Sequence, residues 1–380
     1  MQFFLPESVK TVLSTLKNSG FEAYIVGGSV RNYLLGILPD DFDICTSARP
    51  EQILNLFDKT VNTGIKHGTV TVISDGKPFE VTTFRTDGAY KDFRHPDNVR
   101  FTESLKEDLS RRDFTVNAMC YSDDTGIIDY FGGLDDLKNR TLKAVGVADL
   151  RFKEDALRIL RLFRFASTLG FDIESETYNA AIENAMILSN ISAERIREEL
   201  LRLSLGSCPE VITPLIRTGC IPFLRTGEIS KIPLLPEKSQ LKFFAFLSAT
   251  SENLEITLNS LKCSNSFSLY AKRLQADINT ECKTRADIKR ILRRLENDIF
   301  DLFYYKSAIS GIDITEQINI AEEILESDEP YKISQLCVDG KDLQNNGYRG
   351  KEIGDKLEYL LECVIENPSL NTKGKLLKLI

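Results

Sequence analysis

Two aspartates, Asp41 and Asp43, stand at the start of an apolar segment that is predicted to be a strand over residues 42–45. Side chains two positions apart on a strand point to the same face, so the two carboxylates are expected side by side. Two like charges in that arrangement repel each other, and a bound divalent cation is the usual reason why a protein tolerates them. Such a pair is also typical of a solvated strand end. With its surroundings, described next, it predicts catalytic, metal-binding carboxylates.

A glycine-rich turn precedes the acidic pair. An apolar strand predicted over residues 23–26 leads into Gly27, Gly28 and Ser29, and Arg31 follows. Glycines let phosphate groups come close to backbone N–H donors, and the arginine adds a positive charge beside them. A glycine-serine turn alone is common in proteins. Its combination with the two aspartates predicts a site where Gly28, Ser29 and Arg31 bind a metal-bound nucleoside triphosphate.

A third carboxylate, Glu80, lies on a strand predicted over residues 79–84. If this strand pairs with the one that carries Asp41 and Asp43, then Glu80 is the natural third member of the catalytic group. Two metal ions about 4 Å apart would need such a density of acidic side chains. The alternative is an exposed strand glutamate without a catalytic role.

Two arginines beside an aspartate form the next candidate. Arg111, Arg112 and Asp113 are followed by Asn117 four residues later. Arginine forks match phosphate oxygens, whereas a carboxylate accepts hydrogen bonds from ribose hydroxyls. The cluster therefore predicts nucleotide contacts, although the same triplet is also typical of ion pairs at a protein surface.

A helix is predicted over residues 153–168, with apolar side chains on one face. Charged side chains follow every third position along the other face: Asp155, Arg158, Arg161 and Arg164. Asp155 and Arg158 are three positions apart, so their charged groups are expected to lie in one plane. The alternative is a solvated polar face without a ligand.

One carboxylate and one guanidinium in a plane would distinguish nucleobases. Cytosine and adenine both present an amino donor beside a ring acceptor, whereas uracil and guanine present the opposite polarity. Asp155 and Arg158 would therefore suit C and A and leave buried groups unpaired against U and G. Such a mismatch is worth roughly 10⁴-fold or more in a site built from hydrogen bonds.

These segments, in this order, resemble the motifs of the tRNA nucleotidyltransferase and poly(A) polymerase family, and in particular its class II CCA-adding enzymes. The resemblance covers residues from about 22 to 205. The glycine turn with the acidic pair resembles the first motif, in which Asn32 replaces the usual aspartate. The strand around Glu80, the string 111–118 and the segment 154–158 resemble later motifs of the same family.

The resemblance implies a role for each residue of the second motif. By it, Arg112 would touch the nucleotide, Asp113 the ribose, and Asn117 would support the site. Residues 87–100 resemble the flexible loop that the family uses when it switches from adding C to adding A.

The resemblance also assigns the helical segments. Asp155 and Arg158 would act as a protein template, and Arg161 and Arg164 would reach the triphosphate or complete the nucleotide pocket. Residues 192–199 would brace the templating helix.

The composition restricts the other classes of protein to consider. The 380 residues are 42% hydrophobic and 27% charged with a formal net charge of −8, which is ordinary for a globular protein and neither indicates nor excludes nucleic-acid binding. Two histidines are too few for a His-rich metal centre or an HD phosphohydrolase module. Eight cysteines without a Cys-x-x-Cys pair favour reduced thiols in a cytoplasm. No apolar run approaches the roughly 20 residues that span a bilayer, and no signal peptide is recognised.

The predicted fold class is α+β, and the predicted domains are three. Strand patterns at 23–26, 42–45, 69–73 and 79–84 alternate with helical patterns, which dominate after about residue 149. We expect a polymerase-β-like nucleotidyltransferase head over residues 1–148, as the resemblance implies. A helical neck would follow over 149–205, and a helical, tRNA-binding body and tail over 206–380.

The expected function is addition of CCA to the 3′ end of tRNA from CTP and ATP, with Mg²⁺ as cofactor and the acceptor and T arm as partner surface. Three alternatives stay open. An A-adding or CC-adding specialist is one, and the loop at 87–100 disfavours the CC-only case. A poly(A) polymerase is disfavoured by the acidic chain, and a non-catalytic RNA-binding relative by the intact Asp41, Asp43 and Asp155.

Overall fold

The computed structural model describes residues 3–39, 41–88, 99–327 and 329–380. They fall into two units, the first ending at Gly227 and the second beginning at Glu228. Every strand of the described residues belongs to the first unit, and helices make up the regular structure of the second. The predicted α+β class, with a mixed sheet near the N-terminus and helices beyond it, is confirmed.

The first unit is built on a mixed sheet in which the described strands follow the order β3-β4-β5-β2-β1-β8-β9. β2 and β5 run parallel, and the other neighbours in this sheet run antiparallel. Two short pairs, β6 with β7 and β10 with β11, lie outside it. The strands are β1 (Ala23–Val26), β2 (Asp43–Thr46), β3 (Thr60–Gly64), β4 (Thr69–Ser74), β5 (Lys77–Thr83), β6 (Arg85–Asp87), β7 (Val99–Phe101), β8 (Met119–Ser122), β9 (Gly126–Asp129), β10 (Thr141–Leu142) and β11 (Asp172–Ile173).

The register of the central strands brings the predicted motifs together. All four residues of β1 are buried, which fits a strand covered on both faces. In its antiparallel pairing with β2, Val26 stands opposite Asp43. The glycine turn that follows Val26 therefore begins beside the acidic pair, although the two motifs are separated in the sequence.

The helices of the first unit surround this sheet and continue beyond it. The opening helix buries Val9, Val12, Leu13 and Leu16, as their spacing predicts. The helices are α1 (Glu7–Asn18), α2 (Gly28–Leu34), α3 (Pro50–Leu56), α4 (Leu105–Ser110), α5 (Gly133–Lys138), α6 (Ala148–Glu154), α7 (Leu157–Leu169), α8 (Ser175–Glu183), α9 (Ala193–Ser204) and α10 (Thr213–Arg217).

Helices α7 and α9 pack side by side and run in the same direction. Arg164 of α7 pairs with Glu199 of α9, and one turn further along Ser167 Oγ donates to the carbonyl of Leu203 at 2.8 Å. These contacts advance together along both helices. Arg164 is therefore level with Glu199, and Ser167 is level with Leu203.

The second unit is helical and is held by apolar packing and by ion pairs between helices. Phe243, Phe244 and Phe246 are almost fully buried. Two arginines of α14 pair with glutamates of α18, at 2.9 Å for Arg290–Glu362 and 2.5 Å for Arg293–Glu358. In the described ranges no helix has both the length and the apolar character needed to cross a membrane. The helices are α11 (Ser239–Thr250), α12 (Leu254–Ser260), α13 (Asn265–Asp277), α14 (Arg285–Leu295), α15 (Ile299–Ser310), α16 (Thr315–Glu326), α17 (Gly340–Asn345), α18 (Lys351–Glu366) and α19 (Lys373–Leu376).

Candidate active site

An open, polar pocket of about 460 Å³ lies in the first unit, where the sheet meets α2, α7 and α9. Most of the residues predicted from the sequence line it: Gly28, Ser29, Arg31, Asp41, Asp43, Arg112, Asp113, Asn117, Arg161 and Arg164. Five further residues complete the lining: Gly27, Asn32, Pro39, Phe165 and Arg202. The predicted residues Glu80, Asp155 and Arg158 are not part of it.

The acidic pair lies at the start of β2, where both side chains reach solvent in the pocket. The pKa of Asp43 is raised above its ordinary value, mainly because neighbouring protein atoms displace water from its carboxyl group. Arg112 opposes this shift, and the like charge of Asp41 adds to it. A cation between the two carboxylates would relieve both penalties.

Gly27 allows an arginine to approach the turn. Its φ of 76° is in the left-handed region that favours glycine. A Cβ at this position would lie 3.1 Å from an Nη atom of Arg112. A side chain at residue 27 would therefore push the Arg112 guanidinium away from the turn by a few tenths of an ångström.

Arg31 is a buried cation with neutral partners. It donates to the amide oxygen of Asn117 at 2.5 Å and to that of Asn32 at 2.8 and 3.1 Å. Burial lowers the pKa of Arg31 to about 10, and the nearby Arg164 acts in the same direction. Because Asn32 is an amide and not a carboxylate, no charge on that residue neutralises Arg31.

Asp113 joins the sheet to α7. Its Oδ2 accepts two hydrogen bonds from Arg161, at 2.9 and 2.5 Å, and its Oδ1 accepts from the Asn117 amide and from the Phe114 backbone N–H. Burial alone would raise the pKa of Asp113, but Arg161 and these hydrogen bonds outweigh it and hold the pKa well below its usual range. Asp113 is therefore ionised and fixes Arg161 at the pocket.

An aromatic ring is surrounded by three of the pocket's guanidinium groups. The Phe165 ring centroid lies 3.7 Å from Cζ of Arg164, 5.0 Å from Cζ of Arg31 and 5.4 Å from Cζ of Arg161. Arg164 also donates to Glu199 at 2.5 Å. Cation–π contacts and this ion pair hold a set of like charges close together, where an anionic ligand would meet all of them.

Asp108 accepts hydrogen bonds from both Arg111 and Arg112. Its carboxyl group is buried and accepts from Arg111 at 2.8 and 3.0 Å and from Arg112 at 3.5 Å. The same carboxylate accepts the backbone N–H of Arg85, the first residue of β6, at 3.2 Å. Asp108 thereby ties the start of the β6–β7 pair to the arginines. None of the sequence motifs includes it.

The structure corrects the predicted helix over residues 153–168. The helix is broken at Asp155, whose φ of −135° and ψ of 104° are extended. The Asp155 carboxylate accepts the Leu157 backbone N–H at 3.1 Å and pairs with Arg195 at 3.2 Å. An aspartate favours such a position because its side chain satisfies a free N–H at the start of the next helix.

The sequence predicts that the charged groups of Asp155 and Arg158 lie together in one plane. Among the described residues, no side-chain contact joins the two. Arg158 is buried and donates to Glu154 at 2.6 Å and to the carbonyl of Arg111 at 2.8 Å. The two side chains are each held by other partners. Their role as a base-reading pair stays a prediction.

Glu80 does not line the pocket. β5 pairs with β2, which was the premise for a third carboxylate, yet Glu80 is exposed and does not line the pocket. In the part of the chain that the structure describes, no three acidic, histidine or cysteine side chains form a group that could hold a metal. Residues 89–98 of the predicted loop 87–100 lie outside the described residues.

Some pocket residues outside the motifs nevertheless have a signal in the sequence. Phe165 directly follows Arg164, the last member of the charged row on α7. Arg202, by contrast, shares a face of α9 with Glu199, and only the structure shows that Glu199 pairs with Arg164. Pro39 carries no such signal.

The acidic pair fits a divalent cation. Two carboxylates two positions apart offer hard oxygen ligands, and the raised pKa of Asp43 shows that the pair is poorly neutralised by protein groups alone. Remaining ligands would have to come from a nucleotide or water, as is usual for Mg²⁺ sites.

Comparison with known proteins places the chain in a family. Residues 23–143 match a family model described as the poly A polymerase head domain, and residues 170–224 match one described as a probable RNA and SrmB-binding site of polymerase A. A CCA-adding enzyme of Lactobacillus delbrueckii subsp. bulgaricus is 38% identical, and the alignment covers 96% of this chain and 94% of that protein.

Solved structures agree with this relationship. The CCA-adding enzyme of Bacillus stearothermophilus in complex with CTP has a TM-score of 0.83 and 29% identity, covering 97% of this chain and 94% of that one. The Thermotoga maritima CCA-adding enzyme complexed with tRNA shares the fold, with a TM-score of 0.66 and 19% identity over 98% and 95% of the two chains. The chain belongs to the family of CCA-adding enzymes.

Proposed function

We propose that this protein adds C, C and A stepwise to the 3′ end of tRNA, using CTP and ATP and releasing pyrophosphate. The observation that carries the proposal is the pocket itself, which joins an acidic pair to five arginines in a chain of the CCA-adding family. The acids suit metal-assisted phosphoryl transfer, and the arginines suit a triphosphate.

Family members generally use a divalent metal. We infer that the metal here is Mg²⁺ and that Asp41 and Asp43 hold it. When bound, it lowers the pKa of the primer 3′-hydroxyl and neutralises charge on the α-phosphate. Glu80 remains a candidate for a supporting carboxylate, although it lies outside the pocket lining.

The side chains of the pocket position the reactants and stabilise charge. The primer 3′-oxygen attacks the α-phosphorus, the bond from that phosphorus to the leaving oxygen breaks, and pyrophosphate departs. Arg31, Arg112 and Arg164 offer preorganised positive charge for the phosphates, with little reorganisation at the moment of reaction. Asp113 keeps Arg161 in place. Four protein donors already occupy its two oxygens, so a ribose hydroxyl would have to replace one of them.

Choice of nucleotide would fall to Asp155 and Arg158 at the start of α7. A carboxylate acceptor and a guanidinium donor suit the shared edge of C and A. To read a base, Asp155 would exchange its contact with Arg195, and Arg158 would use donors beyond those bound to Glu154 and Arg111.

We propose the same domain division that the sequence suggests. Residues 1–148 form the catalytic head, 149–205 the templating neck, and 206–380 the tRNA-binding body and tail. The polar pocket lies between strands of the proposed head and helices of the proposed neck. All eight cysteines are free thiols, which supports a cytoplasmic location.

The test uses purified protein, Mg²⁺ and tRNA transcripts that end before CCA, after C and after CC. Each is offered CTP, ATP, both, UTP or GTP, and products are resolved at single-nucleotide length. Growth to CCA on all three, with UTP and GTP refused, supports the proposal. Addition of A alone to the CC end would indicate an A-adding specialist, arrest after CC a CC-adding one, and long A tails a poly(A) polymerase. Tight tRNA binding without incorporation would indicate a non-catalytic relative.

A further inference from the structure

One cation of the pocket differs from the others. Arg31, Arg112, Arg161 and Arg164 each have a hydrogen-bonding or ionic partner in the protein. Arg202 on α9 also lines the pocket, is exposed, and makes no side-chain hydrogen bond or ion pair with any described residue. Its guanidinium therefore has its full set of donors available to a ligand.

The packing of α7 and α9 places Arg202 at a defined end of the charged row. Arg164 is level with Glu199, and Ser167 is level with Leu203. Arg202 therefore lies beside the C-terminal half of α7, whereas Asp155 and Arg158 lie at its N-terminal end. Three positions along a helix advance about 4.5 Å, so Arg202 continues the row beyond Arg164, away from the proposed base-reading end.

The charge of the pocket indicates what Arg202 binds. Five arginines and three aspartates line it, and two of those aspartates would be neutralised by a bound divalent cation. A nucleotide with its base towards Asp155 would direct its phosphates along this row of arginines. Arginine binds phosphate oxygens through two parallel hydrogen bonds, and an exposed guanidinium with no partner among the described residues can do so without breaking any contact that the structure describes.

We propose that Arg202 binds the terminal phosphate of the incoming nucleoside triphosphate. The inference rests on the proposed function and adds a specific contact to it. Arg202 thus helps the enzyme to distinguish triphosphates from diphosphates and monophosphates. It also gives α9 a ligand-binding role in addition to bracing α7.

The experiment measures binding of ATP, ADP and AMP to the full chain by isothermal titration calorimetry with Mg²⁺ and without tRNA. For Arg202→Gln we expect the Kd of ATP to rise about tenfold, because one charge-assisted hydrogen-bonding partner of the phosphate is removed. The Kd of ADP and AMP should change less than about threefold, since neither carries the third phosphate. Arg202→Lys keeps the charge without the fork and should recover part of the ATP affinity.

Arg197→Gln is the matched control, because Arg197 lies on the same helix, pairs with Glu198 and does not line the pocket. It should leave ATP binding unchanged.

An equal loss of ATP, ADP and AMP affinity in Arg202→Gln would overturn the inference, as would an unchanged ATP affinity. A raised KM for tRNA with normal ATP binding would assign Arg202 to the primer instead. Failure of the wild-type protein to extend tRNA would count against the proposed function, whereas normal extension with normal ATP binding in Arg202→Gln would count against this inference alone.

Discussion

At Asp43 a carboxylate is held where loss of water and the charge of Asp41 both disfavour its ionised form, against the attraction of Arg112. The ionised carboxylate therefore destabilises the folded protein, and it would also bind a cation. The same physical fact therefore leads to one expectation about activity and another about stability.

Asp43→Asn should abolish most catalysis, because an amide is a poor ligand for Mg²⁺. We expect nucleotide incorporation to fall by about 10²–10³-fold or more, with tRNA affinity unchanged. Single-turnover primer extension and a filter-binding assay measure the two quantities. The same result is expected for Asp41→Ala, and near wild-type incorporation by either variant would contradict the metal-binding role.

The Asp43→Asn variant should also be more stable than the wild type at neutral pH. Since the folded-state pKa of Asp43 is raised, its charged form destabilises the fold above that pKa, and this cost disappears as the pH falls through it. We expect the variant to melt about 2 °C higher at pH 7, a small shift because the side chain reaches solvent. The difference should shrink in acid. An equal difference at every pH would show that the effect is not one of ionisation.

At the scale of elements, the turn between β1 and α2 combines backbone strain with a close side-chain approach. Gly27 and Gly20 both have positive φ, at 76° and 86°. A Cβ at Gly27 would meet Arg112, whereas one at Gly20 would meet nothing within 4 Å. A substitution at Gly20 therefore tests backbone strain alone, whereas one at Gly27 tests backbone strain together with displacement of Arg112.

Gly27→Ala and Gly20→Ala should each lower the free energy of unfolding by about 1–2 kcal/mol, because alanine is strained at positive φ. Only Gly27→Ala should also reduce nucleotide incorporation, since it displaces the Arg112 guanidinium. Chemical denaturation and steady-state kinetics on the pair measure this. If both variants lost activity equally, the contact with Arg112 would have no part in catalysis.

The break between α6 and α7 gives Asp155 a structural role besides the proposed template role. Asp155→Ala removes the cap on Leu157 and should lower the free energy of unfolding by about 1 kcal/mol. Asp155→Asn keeps a capping oxygen, so its stability should stay near that of the wild type.

Asp155→Asn should nevertheless relax base selection, because an amide can present a donor or an acceptor to the base. We expect incorporation of U relative to C to rise by about 10²-fold or more. Competition assays with CTP and UTP measure the ratio. Unchanged selectivity in both variants would remove Asp155 from the template.

At the scale of the whole molecule, the proposed tRNA substrate is a polyanion, and a chain of net charge −8 would bind it through local basic surfaces. Arg349 and Lys351 are exposed beside Gly350 at the start of α18 in the second unit. Their positive charges lie next to a glycine at a helix start, so both are candidates for backbone-phosphate contacts.

Replacing both residues, by Arg349→Gln and Lys351→Gln, should weaken tRNA binding and flatten its salt dependence. The slope of log K against log salt should fall by about 1–2, at roughly 0.7–0.9 for each phosphate that is no longer neutralised. ATP binding should not change. Lys283→Gln is the control, since Lys283 is exposed in the same unit and already pairs with Glu281. A slope that stays the same would exclude these two residues as phosphate ligands.

Several parts of the molecule follow from local rules of the sequence. The buried strand Ala23–Val26 has the predicted bounds, and α1 buries the residues that helical spacing selects. Asp41 and Asp43 line one pocket, as their close spacing predicts, although β2 begins only at Asp43. In these cases the interacting residues are neighbours in the chain, so their geometry depends on backbone periodicity alone.

Other parts depended on contacts between residues far apart in the chain. Asp155 leaves the predicted helix because it caps α7 and pairs with Arg195, forty positions later. Glu80 stays outside the pocket although its strand pairs as expected. Arg202 reaches the pocket only because α9 packs along α7.

The sequence by itself thus determined the α+β class, the acidic pair and most of the arginines that line the polar pocket, since spacing and residue chemistry are local properties. Only the tertiary structure decided which partner each charged side chain takes. Arg31 with Asn117 and Arg164 with Glu199 are pairs that no spacing rule predicts. Burial, strand order and helix packing bring such groups together, and a buried charge must then be satisfied by whichever partner lies within reach.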